Sequence, residues 1–219
     1  WLLVGFLSAI AGLVVSWLTY QEAETALPVP FQPMMQVSEG RAGAATLEGT
    51  ERRSLLGHFA YPEATESDLV AIAADRTIRL RPAAATQLDA MVTAAAAEGV
   101  YLLPISGFRS VDEQKYLFFD VKAERAQTPK TRAEVSAPPG YSEHHTGYAI
   151  DLGDADAPAT DLSLTFEDTA AFTWLAANAP RYSFELSFPE GNEQGVQYEP
   201  WHWRYVGDSD SLETFYQDR

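Results

Sequence analysis

The sequence predicts an α+β domain, a mainly antiparallel sheet flanked by helices, and three observations carry that prediction. Residues 82–98, PAAATQLDAMVTAAAAE, are dense in alanine, open on a proline suited to a first helical turn and close against Gly99, so they read as a helix with a glycine cap. The segments YAIDLGD, YSFELSF, GVQYEP and HWRYVG are short and rich in aromatic or apolar residues, and turns such as Glu190-Gly191-Asn192 separate them, which is the pattern of strands. Strands and helices follow one another without a regular βαβ rhythm, which argues against a parallel doubly wound sheet.

Taken in order, the chain opens on WLLVGFLSAIAGLVVSWLTY, an uncharged stretch over residues 1–20 that would span about 30 Å as a helix, the thickness of a bilayer's hydrocarbon core. Trp1, Trp17 and Tyr20 stand near its ends, where amphipathic rings favour the headgroup zone. The competing reading is the apolar region of a signal peptide, with Ala9-Ile10-Ala11 as a cleavage triplet, but that triplet lies inside the apolar run, and an uncleaved transmembrane anchor is favoured. Gln21, Glu22 and Glu24 lack the positive charge of a cytoplasmic flank, so the remainder is expected on the periplasmic or extracytoplasmic side of the cell membrane. Because the chain opens on Trp1 rather than Met, a cytoplasmic stub is expected ahead of it.

Residues 21–54 mix Pro28, Pro30, Pro33, Gly40, Gly43 and Gly49 with small polar residues and carry no sustained period, the composition of a flexible linker. The folded domain is expected over residues 55–219. It begins with LLGHFAYPEA, and DLVAIAADRTIRL then predicts two short strands around an Ala-Asp-Arg turn. After the helix at 82–98, VYLLPISGF predicts a buried strand. Ser110 followed three residues on by Glu113 is a capping-box signal for a helix VDEQKYLFFDVKAERA. A proline- and glycine-containing loop, SAPPGYSEHH, leads to Gly147 and the strand YAIDLGD, whose alternation sets Asp151 on the face opposite Ile150. Residues 167–179 predict a further helix, and the strands of the C-terminal third follow.

Composition narrows the chemistry. The chain has 219 residues, 46% of them hydrophobic and 12% aromatic, enough to bury a core. Its 31 acidic residues against 15 basic ones give a formal charge of −16, which repels a nucleic-acid backbone. No cysteine is present, so disulfides, thiolate metal sites and cysteine nucleophiles are excluded, and a metal must be held by His, Asp or Glu.

Three of the four histidines, His144, His145 and His202, fall in two short segments that also hold Asp151 and Glu199. His144, Asp151 and His202 supply two imidazoles and a carboxylate, the ligand number and type of a catalytic zinc site with a fourth position open to water. A turn at Gly147 lets the chain reverse between His144 and the strand bearing Asp151. Glu199 precedes His202 by three residues, with Pro200 stiffening the backbone and Trp201 and Trp203 flanking the ligand, so its carboxylate is a candidate general base. Arg109 is a candidate for binding a substrate carboxylate or an oxyanion. Each residue also has a plainer reading: a lone histidine is usually a hydrogen-bonded structural residue, as His58 is taken to be, Glu199 pairs with Arg204 at the surface, and Trp201 and Trp203 belong to the core.

Together these segments resemble a known family. SEHHTGYAIDLGD resembles the S-x-H-x-x-G-x-A-x-D signature of the VanY-type D-alanyl-D-alanine carboxypeptidases, peptidase family M15. EPWHWRYVG resembles their E-x-W-H element and SGFRSVDEQ their SGYRS-x-x-x-Q segment, in the same order, across Leu55 to Gly207. The resemblance implies zinc held by His144, Asp151 and His202, Glu199 as base, and Arg109, Gln114 and Ser142 in substrate binding. It implies an antiparallel sheet flanked by helices, similar to the hedgehog and lysostaphin-type domains. His145 stands where relatives commonly carry an amide, and it can hydrogen-bond like one or titrate. The loop SAPPG lacks an arginine that many relatives carry before the second proline, which bears on substrate choice.

The activity so implied is zinc-dependent hydrolysis of the C-terminal D-Ala of peptidoglycan stem peptides. Two alternatives stand beside it: an L,D-carboxypeptidase acting on tetrapeptide stems, and a non-catalytic cell-wall binding module in which zinc is structural. Retention of Glu199 argues against the second.

Overall fold

The computed structural model describes residues 53–72, 77–120, 123 and 125–216. The expected anchor at 1–20 and nearly all of the expected linker at 21–54 lie outside these residues. Among the described residues no helix is long and apolar enough to cross a membrane. The chain divides into Trp1–Thr46 and Leu47–Arg219, and every described residue belongs to the second unit.

Two small hairpins open the unit: β1 (Ser54–Leu55) pairs with β2 (His58–Phe59), and β3 (Val70–Ala71) with β4 (Arg79–Leu80), both antiparallel. The second pair is the predicted one, although its turn falls outside the described residues. Helix α1 (Pro82–Ala97) follows, with Pro82 in its first turn and Gly99, at φ +80°, just past its end. Its buried positions Ala84, Leu88, Met91 and Ala95 recur every three to four residues, so one stripe faces the core.

The central sheet has four antiparallel strands in the order β5 (Leu102–Ser106), β6 (Ala149–Asp154), β8 (His202–Tyr205), β7 (Phe184–Leu186). Pro104 lies in β5, which is an edge strand, the position where a missing N–H is tolerated. All six residues of β6 are buried, so the central strand is covered on both faces. On one face Ile150 and Leu152 join Leu88, Met91, Leu175, Phe184 and Phe215 in a single apolar cluster. On the other the register pairs Asp151 with His202 on β8 and with Ser106 on β5, which brings residues 51 positions apart in sequence into direct cross-strand contact.

Several segments depart from expectation. The single helix predicted after Ser110 is α-helical only over α2 (Val111–Lys115) and widens into a π-helix over Tyr116–Asp120. There Phe118 turns inward, and the Leu117 carbonyl accepts a bond from Arg132 on the short helix α3 (Pro129–Ala133). The helix expected at 167–179 is α4 (Ala170–Asn178), capped by the Thr169 side chain. GVQYEP is not a strand. The Asn192 amide bonds the Pro189 and Val196 carbonyls and Gly195 sits at φ +66°, so the chain loops here instead of pairing. Helix α5 (Ser209–Tyr216) was not anticipated; it buries Phe215 against Tyr148 and Tyr61.

Gly147 ends a 3-10 turn over Glu143–Thr146 at φ +72°, and its carbonyl accepts from the Arg81 N–H. A Cβ there would stand 2.7 Å from Leu69 Cδ2 and 3.2 Å from Arg81 Cγ. Gly147→Ala therefore adds left-handed backbone strain to a steric conflict and is expected to cost about 2 kcal/mol. Urea unfolding of the two proteins measures the difference.

Candidate metal centre

The turn ending at Gly147 and the two central strands deliver the predicted ligands to one place. His144, Asp151 and His202 each offer a ligand atom within 4.8 Å of the others, and all three are buried. His144 Nε2 lies 3.2 Å from Asp151 Oδ2, and His202 Nδ1 lies 3.0 Å from Asp151 Oδ1. These separations approach the edge of a tetrahedron around a cation with bonds of about 2 Å.

The outward ring nitrogens fix which atoms face inward. His144 Nδ1 donates to the Gly107 carbonyl at 2.7 Å, so Nε2 is the lone-pair nitrogen. His202 Nε2 donates to Glu143 Oε2 at 3.1 Å, so Nδ1 is the nitrogen turned inward, the one that would offer its lone pair to a cation. Glu143 is itself fully enclosed: its Oε1 accepts from Arg204 Nη1 at 2.7 Å and from the Tyr61 hydroxyl at 3.2 Å. Arg204 in turn binds Glu185 and lies over the rings of Phe215 and Tyr216 on α5. The plainer alternative for Glu199, a surface ion pair with Arg204, is set aside, because Arg204 is buried and its guanidinium is committed to Glu143 and Glu185. Glu143 and Arg204 are the site residues that sequence reading missed. Their signal lay in the two motifs themselves, as the residue before His144 and the second residue after His202.

Glu199 lies at the rim of the same group, its Oε2 3.8 Å from His202 Nδ1. Backbone bonds fix its loop: its N–H donates to the Phe188 carbonyl, and its own carbonyl accepts from the His202 N–H. Burial, reinforced by the charges of Asp151 and Glu143, pushes its carboxyl up to about 7 against the pull of His202. Burial works against ionisation of Asp151 and Glu143 as well, but the neighbouring His144 and His202 for the first and Arg204 for the second hold both well below the usual carboxylate range. His202 is lowered by burial and raised more strongly by its bonds to Asp151 and Glu143, which carry it up to about 10. Three carboxylates therefore converge on one pair of imidazoles, an arrangement that retains a proton on His202 where no other cation is held. A divalent ion suits this donor set of two nitrogens and one oxygen and relieves the crowding of negative charge.

Arg109 belongs to the same cleft. Its Nη2 lies 4.0 Å from Asp151 Oδ2 and donates to Ser106 Oγ, while Nη1 donates to Gln114 Oε1. A cavity of about 570 Å³ is lined by Arg109, Ser142, His144, Asp151, Glu199 and His202 among others. Gln114 is absent from its lining: the side chain is 1% exposed and its amide is spent on Ser136 Oγ and the Ala137 carbonyl. The structure thus places Gln114 behind Arg109, as a brace. His145 faces away from the ligand group, its Nδ1 donating to the Arg109 carbonyl and its Nε2 accepting from the Gly140 N–H, the bonding pattern of an amide. His58 donates to the Ala133 carbonyl, the structural role expected for it. Of the two tryptophans Trp203 is core, whereas Trp201 lines the cavity.

Two imidazoles and a carboxylate turned to a common point, with a further, partly buried carboxylate and a guanidinium in the same cavity, define a mononuclear metallohydrolase centre. The chain belongs to the VanY family of D-alanyl-D-alanine carboxypeptidases, whose sequence pattern matches residues 77–208. The Bacillus subtilis (strain 168) protein YodJ is 39% identical over 133 residues, which are 58% of this chain and 46% of that protein. The chain covers 46%, 39% and 52% of the length of three curated relatives and 70% of a fourth. Among solved structures, the LdcB LD-carboxypeptidase superposes with a TM-score of 0.59 at 34% identity, covering 68% of this chain and 72% of that one. A variant of the vancomycin-resistance D,D-pentapeptidase VanY, in complex with Zn(II), superposes with a TM-score of 0.54 at 29% identity, covering 69% and 86%.

Glu143 orients His202 without touching the ligand point, so its removal tests the outer layer alone. Glu143→Gln is expected to weaken zinc binding by about 10- to 100-fold. Competition against a chromophoric chelator reads that change, and a circular dichroism spectrum checks that the fold is kept.

Proposed function

We propose that this chain is a zinc-dependent carboxypeptidase that removes the C-terminal D-Ala from peptides ending in D-Ala-D-Ala, as the stem peptides of peptidoglycan do. The observation that carries the reading is the placement of the partly buried Glu199 carboxyl 3.8 Å from the inward nitrogen of His202, in the cavity that also holds Arg109. Held by His144, Asp151 and His202, zinc supplies Lewis acidity toward the scissile carbonyl and the attacking water.

The remaining steps belong to the chain's own side chains. Arg109, braced by Gln114 and Ser106, receives the terminal carboxylate of the substrate. Its Nη2 lies only 4.0 Å from a ligand carboxylate, so the anchored end lies close to the bond to be cut, and room remains for one residue beyond it. That spacing favours release of a single terminal residue over internal cleavage. Glu199 takes a proton from the water as its oxygen adds to the carbonyl carbon, then returns it to the leaving amine as the C–N bond breaks. A carboxyl set near 7 by its surroundings exchanges protons readily in either direction at neutral pH. Ser142, buried at the cavity wall, contacts substrate.

The likeness to an LD-carboxypeptidase favours one second reading, cleavage of tetrapeptide stems between a diamino acid and D-Ala. A non-catalytic zinc module is the less favoured third, since it leaves Glu199, beside His202 in the cavity, without a task. We further infer that the apolar run at 1–20 anchors the chain in the cell membrane, with residues 21–54 as the tether and the catalytic unit on the extracytoplasmic side. Peptidoglycan lies on that side.

Zinc-loaded protein is expected to release free D-Ala from a pentapeptide stem, and a chelator to abolish the release. Parallel digestion of penta- and tetrapeptide, read by mass spectrometry, separates the two bond preferences; no release from either ends the enzymatic reading. Glu199→Ala is expected to retain zinc and lose activity by about 10²- to 10⁴-fold. Full activity in that variant removes Glu199 from the role of base.

A further inference from the structure

The same cavity holds two arginines that the chemistry above does not use. Arg125 and Arg132 both line it, although the chain carries only 15 basic residues against 31 acidic ones. Arg132 is 7% exposed, yet among the described residues its side chain makes one hydrogen bond, from Nη2 to the Leu117 carbonyl, and its Nε is sealed from solvent without a partner. Among those residues no carboxylate forms an ion pair with Arg132 or Arg125. Gln127 lines the same wall, and its Oε1 is likewise buried without a partner.

A buried guanidinium usually finds a carboxylate, because removing its charge from water is costly unless it is paired. Here the charge that acts on it is of the same sign: burial, and then the positive charge of Arg125, lower the proton affinity of Arg132. Of the acids of the cavity, Glu143 is engaged with Arg204, Asp151 with the two imidazoles, and Glu199 stands beside His202. Arg132 is nevertheless joined to the reaction centre. The next residue, Ala133, is held by His58, and the loop leaving α3 passes through Ser136 and Ala137, which Gln114 ties to Arg109.

We propose that Arg125 and Arg132 form an anion subsite that receives a free carboxylate carried by the peptide substrate on the acyl side of the scissile bond, apart from the terminal carboxylate assigned to Arg109. A planar guanidinium matches a carboxylate in shape and charge, and a second one beside it doubles the field at the ligand. The unspent Gln127 amide is placed to meet a peptide group next to that carboxylate. The inference rests on the peptidase reading for its substrate class, but the arginine pair makes its own demand: a peptide with the carboxylate binds more tightly than the same peptide without it.

Binding is measured by calorimetry with the zinc-loaded full chain carrying Glu199→Ala, so that turnover does not intervene. Three peptides ending in Lys-D-Ala-D-Ala or its equivalent are compared. The first is capped by γ-linked glutamate with a free α-carboxylate, and the second has that carboxylate replaced by a primary amide. The third keeps the amide and replaces lysine by diaminopimelate, which returns a carboxylate one residue closer to the bond. Adding Arg125→Gln or Arg132→Gln is expected to weaken binding of at least one carboxylate peptide by about tenfold and leave the amide peptide unchanged. Which carboxylate peptide responds gives the position of the subsite. Equal loss for all three peptides, the mark of a structural role, or no loss for any, overturns the proposal. Arg125 is exposed, so its variant carries the test even where Arg132→Gln fails to fold. D-Ala release by the unsubstituted chain is read separately, so failure of the peptidase reading and failure of the subsite remain distinct.

Discussion

The contact on which the rest of this site depends is the cross-strand pair Asp151 and His202. It exists because β6 and β8 run antiparallel in a register that sets those two residues opposite each other, and because β6 is covered on both faces. A slip of one residue would turn Asp151 into the apolar cluster and Ile150 into the cavity. The cluster of Ile150, Leu152, Leu88 and Met91 on the other face opposes that slip, so the apolar packing also holds the ligand geometry. A third strand, β5, enters through Ser106, which faces Asp151 across the sheet and also receives a bond from Arg109.

Around that pair, charge is arranged in layers. Asp151 and Glu143 both reach His202, one at each ring nitrogen, and Arg204 balances Glu143 from behind. Glu199 has no such balance, and this difference sets two neighbouring acids to different tasks. Glu143, with a guanidinium at 2.7 Å, stays ionised and orients an imidazole. Glu199, largely withdrawn from solvent and lacking that support, is poised to exchange protons.

Much of this was legible in the sequence, and the reason is local. His144, Gly147 and Asp151 lie within eight consecutive residues, and Glu199 and His202 within four, so short segments carried both the ligands and the turn that aims them. Helix α1 was legible because Pro82, an alanine-rich run and Gly99 punctuate it. What was lost depended on distant partners. Glu143 carried no assignment in the sequence and Arg204 read as a surface charge, whereas the fold sets the two, 61 positions apart, in contact. Gln114 looked like a substrate contact because it shares a segment with Arg109, and only packing reveals that its amide is used up behind it. GVQYEP has strand-like composition, but Asn192 and Gly195 settle its path through hydrogen bonds and backbone sign that alternation does not encode.

The link from Arg204 to α5 also bears on how the protein is made. Arg204 is covered by Phe215 and Tyr216, and Glu185 is shared between Arg204 and the Tyr216 hydroxyl. This helix leaves the ribosome after every predicted ligand has already emerged. His202 is therefore synthesised before one of the elements that steady it, the helix that covers Arg204.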